Sequence, residues 1–168
     1  MKYLKKLSKL HLVIMGLLVV VLVYAISSYF NVPASAPKNS SDTAVEAHFK
    51  KILTPAQYHI LREAGTEIPF SGALDYETRP GTYYSYGCDK PIFRSEQKYD
   101  SGTGWPSFWA PIKPDAVVLK QGTGSDGRTE VLDTCGSHLG HVFDDGPQPT
   151  GKRYCMNSIA MYFVSDKK

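Results

Sequence analysis

Two neighbouring segments, Cys135-Gly-Ser-His-Leu-Gly-His-Val-Phe-Asp-Asp145 and Arg153-Tyr-Cys-Met-Asn157, decide the fold of this chain. They gather two of its five histidines and two of its three cysteines, with a carboxylate pair and an arginine. From Arg153 to Val164 the sequence is apolar, rich in aromatic residues and of strand length, which predicts a single β-strand. The chemistry-bearing residues therefore lie on or beside strands.

Alternate residues of a strand share a face, so Arg153, Cys155 and Asn157 are predicted to project together. A neighbouring cation favours the thiolate form of a cysteine, and the thiolate is the nucleophile. Cys155 is therefore a candidate nucleophile. The alternative is that Cys155 fills space in the core, where free cysteines are often found, and that Arg153 is a solvated surface charge.

His138 and His141 are three residues apart, and on a regular strand they would face opposite sides. Gly140 between them could form a bulge that turns both rings toward one site. Histidine titrates near neutral pH and serves as an acid or a base, and Asp144 or Asp145 could orient one ring. Two other interpretations remain: packing histidines, and a metal site, because Cys135-x-x-His138-x-x-His141 has metal-ligand spacing.

The rest of the chain predicts a mainly β domain, built from antiparallel β-sheets, with short N-terminal helices. One helix covers Thr43 to Ile52. A second begins at Thr54, with Pro55 in its first turn and Gln57 completing a capping box, and Gly65 stops it. From Pro69 onward, glycines and prolines interrupt short apolar runs. The predicted strands are Thr82–Tyr86, Ile92–Phe93, Val117–Lys120, Glu130–Thr134, His141–Phe143 and Tyr154–Val164, with an exposed hairpin loop at Gly122–Gly127.

The N-terminus predicts a membrane anchor. Residues 1–9 are basic and are expected to stay in the cytoplasm, and residues 10–30 contain no fully charged side chain. A run of that length crosses a bilayer as one helix and orients the remainder for export. The competing interpretation is a cleaved signal peptide, since Ala34-Ser-Ala36 has a small-x-small pattern. Residues 31–42 resemble a linker, and residues 43–168 form one domain.

The charge distribution argues against nucleic acid as a partner. The formal net charge of the chain is +3, and four lysines lie in residues 1–9. The exported remainder therefore carries about −1, which leaves no basic excess of the kind that binds nucleic acid.

Several motifs in a fixed order resemble those of the B-type methionine sulfoxide reductases, which reduce the R epimer of methionine sulfoxide to methionine. The resemblance runs from about Leu53 to Val164. Its motifs are Leu53-Thr-Pro-Ala-Gln-Tyr58, Glu63-Ala-Gly-Thr-Glu67, Pro69-Phe-Ser-Gly72, Tyr99-Asp-Ser-Gly-Thr-Gly-Trp-Pro-Ser-Phe108, Ser137-His-Leu-Gly-His-Val-Phe143, Asp145-Gly-Pro147 and Arg153-Tyr-Cys-Met-Asn-Ser158.

The resemblance implies a role for each matching residue. Cys155 attacks the sulfoxide sulfur and is left as a sulfenic acid. His141, helped by His138 and Asp145, protonates the oxygen. Arg153 favours the thiolate, and Asn157 positions the reacting groups. Trp105 and Phe143 are expected to contact the substrate, because methyl groups and sulfur pack well on aromatic rings.

Two departures from the family concern the cysteines. Many members bind a structural zinc through two Cys-x-x-Cys pairs, but Ser85 and Leu132 stand where one ligand of each pair would be. The zinc is therefore expected to be absent. The remaining Cys88 and Cys135 come from halves of a site that must converge, so a disulfide is expected, which export would favour. Free buried thiols, or a redox role for one of them, are the alternatives.

A further departure concerns regeneration of the enzyme, because Thr103 occupies the position of the resolving cysteine of some relatives. Cys155 must then be reduced by Cys88, by Cys135 or by an external thiol. For an exported domain the expected reductant is a thioredoxin-like protein or a membrane thiol relay. The other function classes are a non-enzymatic metal-binding module of Cys135, His138 and His141, and a family member that binds oxidised protein without turnover.

Overall fold

The computed structural model describes residues 40–122 and 127–167. It contains helices α1 (Ser40–Ile52) and α2 (Pro55–Glu63) and nine strands. The strands are β1 (Gly81–Ser85), β2 (Pro91–Arg94), β3 (Lys98–Tyr99), β4 (Ser107–Phe108), β5 (Val117–Gln121), β6 (Thr129–Asp133), β7 (His138–Phe143), β8 (Arg153–Met156) and β9 (Met161–Ser165). Three short 3-10 helices cover Ala73–Asp75, Ser95–Gln97 and Ser158–Ala160.

The strands form two antiparallel sheets. One has three strands in the order β2-β1-β9, and the other has six in the order β3-β4-β8-β7-β6-β5. Strand β8, which carries Cys155, lies inside the larger sheet, between β4 and β7. The predicted mainly β fold with short N-terminal helices is therefore confirmed for the described residues.

Aromatic side chains join the two sheets. Phe93 of β2 stacks on Phe108 of β4 with ring centroids 4.3 Å apart, and Tyr83 of β1 meets the same ring edge-on at 4.9 Å. All three side chains are fully buried. Stacked and edge-on aromatic pairs stabilise a core beyond the area they bury, so these rings hold β4 and β8 against the smaller sheet.

Helix α2 begins as predicted. The Thr54 hydroxyl accepts a hydrogen bond from the Gln57 N–H, and the Gln57 side chain accepts one from the Thr54 N–H, which completes the capping box. Its end differs by one residue: Ala64, with φ of 53°, is the left-handed cap, and Gly65 follows it.

The single strand predicted over Arg153–Val164 is wrong. Strand β8 ends at Met156, a 3-10 turn covers Ser158–Ala160, and β9 begins at Met161 in the other sheet. The Glu67 carboxylate accepts the N–H groups of Ser158 and Ile159, which fixes the turn. The residues before and after this turn are both buried, so the sequence stays apolar across it. The apolar pattern therefore does not reveal that the chain passes from one sheet to the other.

The predicted N-terminal basic segment (1–9), transmembrane helix (10–30) and most of the linker (31–42) lie outside the described residues. The last three linker residues, Ser40 to Asp42, belong to α1. Within residues 40–122 and 127–167, neither α-helix is long and apolar enough to cross a membrane. Strands β5 and β6 pair antiparallel on either side of the predicted hairpin loop, of which residues 123–126 are also outside the described set.

Candidate active site

A cavity of about 260 Å³ opens at strands β7 and β8 and the loop that carries Trp105. Six of the residues singled out from the sequence line it: Trp105, His141, Phe143, Arg153, Cys155 and Asn157. Of the three cysteines, all within the described residues, Cys155 is free, and it is partly exposed. The cavity therefore combines a thiol with acid-base, cationic and aromatic side chains.

The register of β7 and β8 sets this arrangement. Cys155 pairs directly with His141, and Arg153 pairs with Phe143. Directly paired residues of antiparallel strands project to the same face. Gly140 permits the close approach, because a Cβ atom there would lie 2.1 Å from the Cys155 carbonyl oxygen. A larger residue at position 140 would push the two strands apart at the thiol.

Arg153 is held on both sides. Its Nε and Nη2 donate to the two carboxylate oxygens of Asp145, each at 2.8 Å, and its guanidinium lies 4.3 Å from the centroid of the Phe143 ring. The bond from Arg153 lowers the pKa of Asp145, and the same bond is the main cause of the raised pKa of Arg153. Both charges are therefore retained at neutral pH, and the Asp145 carboxylate fixes the position of the Arg153 guanidinium.

The two histidines come together through an irregularity in β7. Val131 pairs with Gly140 and Leu132 with His138, so Leu139 is an extra residue at this point. This is the bulge that the sequence indicated beside Gly140. The two imidazole rings meet edge-on at 5.3 Å.

Only His141 of this pair lines the cavity. His138 lies behind it, 3% exposed, with Nδ1 2.8 Å from Glu130 Oε1. Burial lowers the pKa of His138, although the hydrogen bond to Glu130 acts in the opposite direction. Its Nε2 is buried without a hydrogen-bond partner.

Two glycines shape the loop that carries Trp105. Gly102 and Gly104 have φ angles of 69° and 86°, a region that favours glycine. The loop places the Thr103 hydroxyl 3.8 Å from the Cys155 sulfur. The Trp105 indole N–H donates to the Glu67 carbonyl oxygen at 3.2 Å, which anchors the ring at the cavity wall.

Asn157 connects this loop region to β7. Its side-chain Nδ2 donates to the Leu139 carbonyl oxygen at 3.0 Å, and its Oδ1 accepts the Glu67 N–H at 3.0 Å. The Asn157 side chain is almost fully buried. It therefore positions the cavity walls, as an uncharged donor and acceptor at the end of β8.

The segments that form the cavity lie within the part of the chain that matches known proteins. Residues 53–165 match the SelR domain family. The chain belongs to the MsrB family of SelR-domain proteins. It is 55% identical over 121 residues to "Peptide methionine sulfoxide reductase MsrB" of Leptospira interrogans, covering 70% of this chain and 92% of the relative. It is 52% identical over 125 residues to the protein of that name from Methanosarcina barkeri, covering 73% and 88%.

The residues expected from the resemblance to stand at the zinc site form a different arrangement in this chain. Cys88 and Cys135 form a disulfide with Cα atoms 5.7 Å apart. The Ser85 hydroxyl donates to Asp133 Oδ2 at 2.6 Å, and Asp133 Oδ1 accepts the N–H groups of Cys135 and Ser137. Leu132 supplies no ligand atom. With the two sulfurs bonded to each other, these residues lack the four free ligands of a tetrahedral zinc site in the disulfide form.

The rival metal module of Cys135, His138 and His141 is wrong. Within the described ranges, the cluster of potential ligand atoms is Cys88, Asp133 and Cys135, and it contains neither histidine. The sulfur of Cys135 is bonded to Cys88.

Sequence reasoning missed several residues that build the site. Thr66, Arg128 and Met156 line the cavity. Glu130 bonds His138, and Glu67 caps the turn after β8. Burial raises the pKa of Glu67, while the two N–H bonds lower it. Three of these residues lie in motifs quoted from the sequence: Thr66 and Glu67 in Glu63-Ala-Gly-Thr-Glu67, and Met156 in Arg153-Tyr-Cys-Met-Asn-Ser158. Glu130 reaches the site through the pairing of β6 with β7, and Arg128 lies just before β6.

Proposed function

We propose that this protein is a peptide-methionine (R)-S-oxide reductase with Cys155 as its nucleophile. The observation that carries the proposal is the free Cys155 thiol in a cavity with His141, Arg153 and Trp105, in a chain of the MsrB family. The curated relatives carry the name peptide methionine sulfoxide reductase, which supports the same chemistry here.

In the first step the Cys155 thiolate attacks the sulfoxide sulfur. The attack forms a bond between the two sulfurs; the oxygen then passes to Cys155, the sulfur–sulfur bond and the sulfur–oxygen bond of the substrate break, and methionine leaves. Cys155 is oxidised to a sulfenic acid, and the substrate is reduced by two electrons. His141, directly opposite Cys155 on β7, supplies a proton to the oxygen as it takes up negative charge.

Charge and position then divide the remaining roles. Arg153, fixed by Asp145 and Phe143, supplies positive charge beside the thiolate. Asn157 holds the turn after β8, and His138 supports His141 from behind. None of these residues exchanges electrons, and each one orients or stabilises the reacting groups.

The substrate side chain fits a cavity of this size. About 260 Å³ is near the small end of ligand sites and suits one side chain. Trp105 and Phe143 offer aromatic surface to the methyl group and sulfur. We propose that the R epimer is selected because its methyl group lies on this aromatic surface while its oxygen faces His141.

Turnover requires an external thiol. Two reductant thiols return the sulfenic acid to a thiol, releasing water and forming a disulfide of the reductant. Cys88 and Cys135 are paired with each other, and the loop residue Thr103, whose hydroxyl lies 3.8 Å from the Cys155 sulfur, is not a cysteine. These facts support direct reduction by a thioredoxin-like protein or a membrane thiol relay.

We further propose that residues 10–30 anchor the protein in a membrane and that the catalytic domain lies outside the cytoplasm. The apolar run, the lysines that precede it and a disulfide within the domain support this location. Oxidised proteins of that compartment would be the substrates.

The test is reduction of a peptide with separated R and S methionine sulfoxide epimers, driven by dithiothreitol, by the parent and Cys155→Ser proteins. We expect the parent to consume only the R epimer and the variant to consume neither. Consumption of the S epimer, or equal activity of the variant, would refute the proposal.

A further inference from the structure

Three hydroxyl groups form a chain of hydrogen bonds that ends at the sulfur atom of Cys155. Thr103 Oγ1 lies 3.8 Å from Cys155 Sγ, Ser101 Oγ lies 2.8 Å from Thr103 Oγ1, and Ser107 Oγ lies 2.7 Å from Ser101 Oγ. The Ser107 hydroxyl donates to the Trp105 carbonyl oxygen at 3.1 Å. We call Thr103, Ser101 and Ser107 the hydroxyl chain.

The carbonyl oxygen fixes the direction of the hydroxyl chain. Each hydroxyl has one proton to donate, and a carbonyl oxygen can only accept. When Ser107 donates to Trp105, Ser101 must donate to Ser107, and Thr103 must donate to Ser101. Thr103 then offers only lone pairs to Cys155, which suits a thiol S–H.

A thiolate requires the opposite direction. Thr103 then donates to the sulfur, Ser101 donates to Thr103, Ser107 donates to Ser101, and the Trp105 carbonyl loses its donor. A hydrogen bond to a charged acceptor is stronger than a neutral one, so the reversed chain stabilises the thiolate at the cost of one neutral bond.

We propose that Thr103, Ser101 and Ser107 are positioning residues whose hydroxyl chain reverses direction when Cys155 changes its charge. The chain donates to the thiolate before attack, and it accepts from a protonated product such as the S–O–H of the sulfenic acid. The proposal rests on the proposed function only in taking Cys155 as the nucleophile.

Other charged and titratable groups also surround the sulfur. Arg153 lies on the same strand, His141 on β7 and Tyr99 on β3, while Arg128 lies across the cavity and Asp145 is bound to Arg153. These groups are unchanged when a hydroxyl is removed. A comparison of hydroxyl variants therefore isolates the contribution of the chain.

The proposal predicts that removing the hydroxyl at either end of the chain shifts the pH midpoint of Cys155 alkylation, in opposite directions for the two ends. Thr103→Val removes the donor to the thiolate, so the pH midpoint of Cys155 alkylation should rise by about one unit. Ser107→Ala removes the competing acceptor for Ser101, which then donates to Thr103, and the midpoint should fall. Thr103→Ser keeps the hydroxyl and should restore the parent midpoint.

The measurement is the rate of iodoacetamide alkylation against pH, on unreduced protein, in which Cys88 and Cys135 are paired and Cys155 alone reacts. Ser165→Ala, in the other sheet, is the matched serine control. Shifts of the same sign for Thr103→Val and Ser107→Ala, or no shift in either, would overturn the proposal, as would a Thr103→Ser protein that behaves like Thr103→Val. Because alkylation needs no substrate, failure here is distinguishable from failure of the reductase assay.

Discussion

Two cysteine-containing regions of this molecule hold similar chemical groups. They differ in how many of those groups are paired through a disulfide or a hydrogen bond. In the disulfide corner, formed by Ser85, Cys88, Asp133, Cys135 and Ser137, the sulfurs are bonded together and the buried carboxylate accepts three hydrogen bonds. Around the cavity, by contrast, the thiol is free and partly exposed. We expect the reactivity of Cys155 to follow from this incomplete pairing.

Neighbours of the cavity show the same incomplete pairing. The Tyr99 hydroxyl and His138 Nε2 are buried without hydrogen-bond partners, and among the described residues the Tyr83 hydroxyl in β1 shares this feature. Unsatisfied buried polar atoms cost stability and are tolerated where function requires them. Substitutions in the disulfide corner are therefore expected to lower stability, and substitutions around the cavity are expected to lower turnover.

The largest effects are expected from substituting the cysteines, because Cys155 should determine turnover whereas Cys88 and Cys135 should determine stability. Cys155→Ser should lose all dithiothreitol-driven turnover, because serine is a far weaker nucleophile. The double variant Cys88→Ser/Cys135→Ser should keep the parent kcat but lose about 2–4 kcal/mol in the free energy of unfolding, since the disulfide closes a loop of sequence separation 47. Kinetics and denaturant unfolding check both. Lost turnover in a folded double variant would make the corner part of the catalytic cycle.

The next comparison uses two carboxylates. Asp133→Asn should lower the free energy of unfolding by about 1–3 kcal/mol, because one amide nitrogen would face donors that need an acceptor, and kcat/KM should stay unchanged. Asp145→Asn should leave stability almost unchanged, since the side chain is 60% exposed. It should lower kcat/KM about tenfold by releasing Arg153. The reverse pattern would contradict the assignment of the two regions.

A smaller effect concerns pH. The pKa of His138 is lowered from its ordinary value of 6.5 by burial, so the unfolded chain binds more protons than the folded protein below that pH. Stability from the neutral ring is complete above 6.5 and is lost as the pH falls toward the folded pKa. Between pH 6.5 and about 5, the parent should lose more stability than His138→Gln in thermal unfolding. Equal losses of stability in the parent and in His138→Gln would show that His138 does not titrate differently in the folded and unfolded states.

The smallest expected effect is that of zinc. Because the donors of the disulfide corner are engaged, purified protein should contain no stoichiometric zinc, and a chelator should change neither activity nor melting temperature. Elemental analysis checks this. One zinc per chain, lost together with stability on chelation, would show that the corner is a metal site.

Local signals allowed much of this fold to be predicted. The Thr54 capping box fixed the start of α2, and Gly140 indicated the bulge that brings His138 and His141 together. Both depend on residues a few positions apart. The break after Met156 depends instead on Glu67, some ninety positions away along the chain, and an apolar pattern carries no information on such a contact.

The candidate site shows the same limit. Cys155, Arg153 and His141 were found because reactive residue types stand in two short segments. Glu130 and Arg128 were missed, since they reach the site through the pairing of β6 with β7 and through the loop before β6. The disulfide was expected only from the family pattern, and its geometry required the folded structure.

The most direct test of the account is a single turnover without reductant. Protein with a free Cys155 thiol and with Cys88 and Cys135 paired would be mixed with excess peptide containing R methionine sulfoxide and with a dione that traps sulfenic acids. Methionine would be quantified and the modified cysteine located by mass spectrometry. We predict one methionine per chain and a trapped sulfenic acid on Cys155. No methionine, or a disulfide between Cys155 and either Cys88 or Cys135 in place of the adduct, would contradict it.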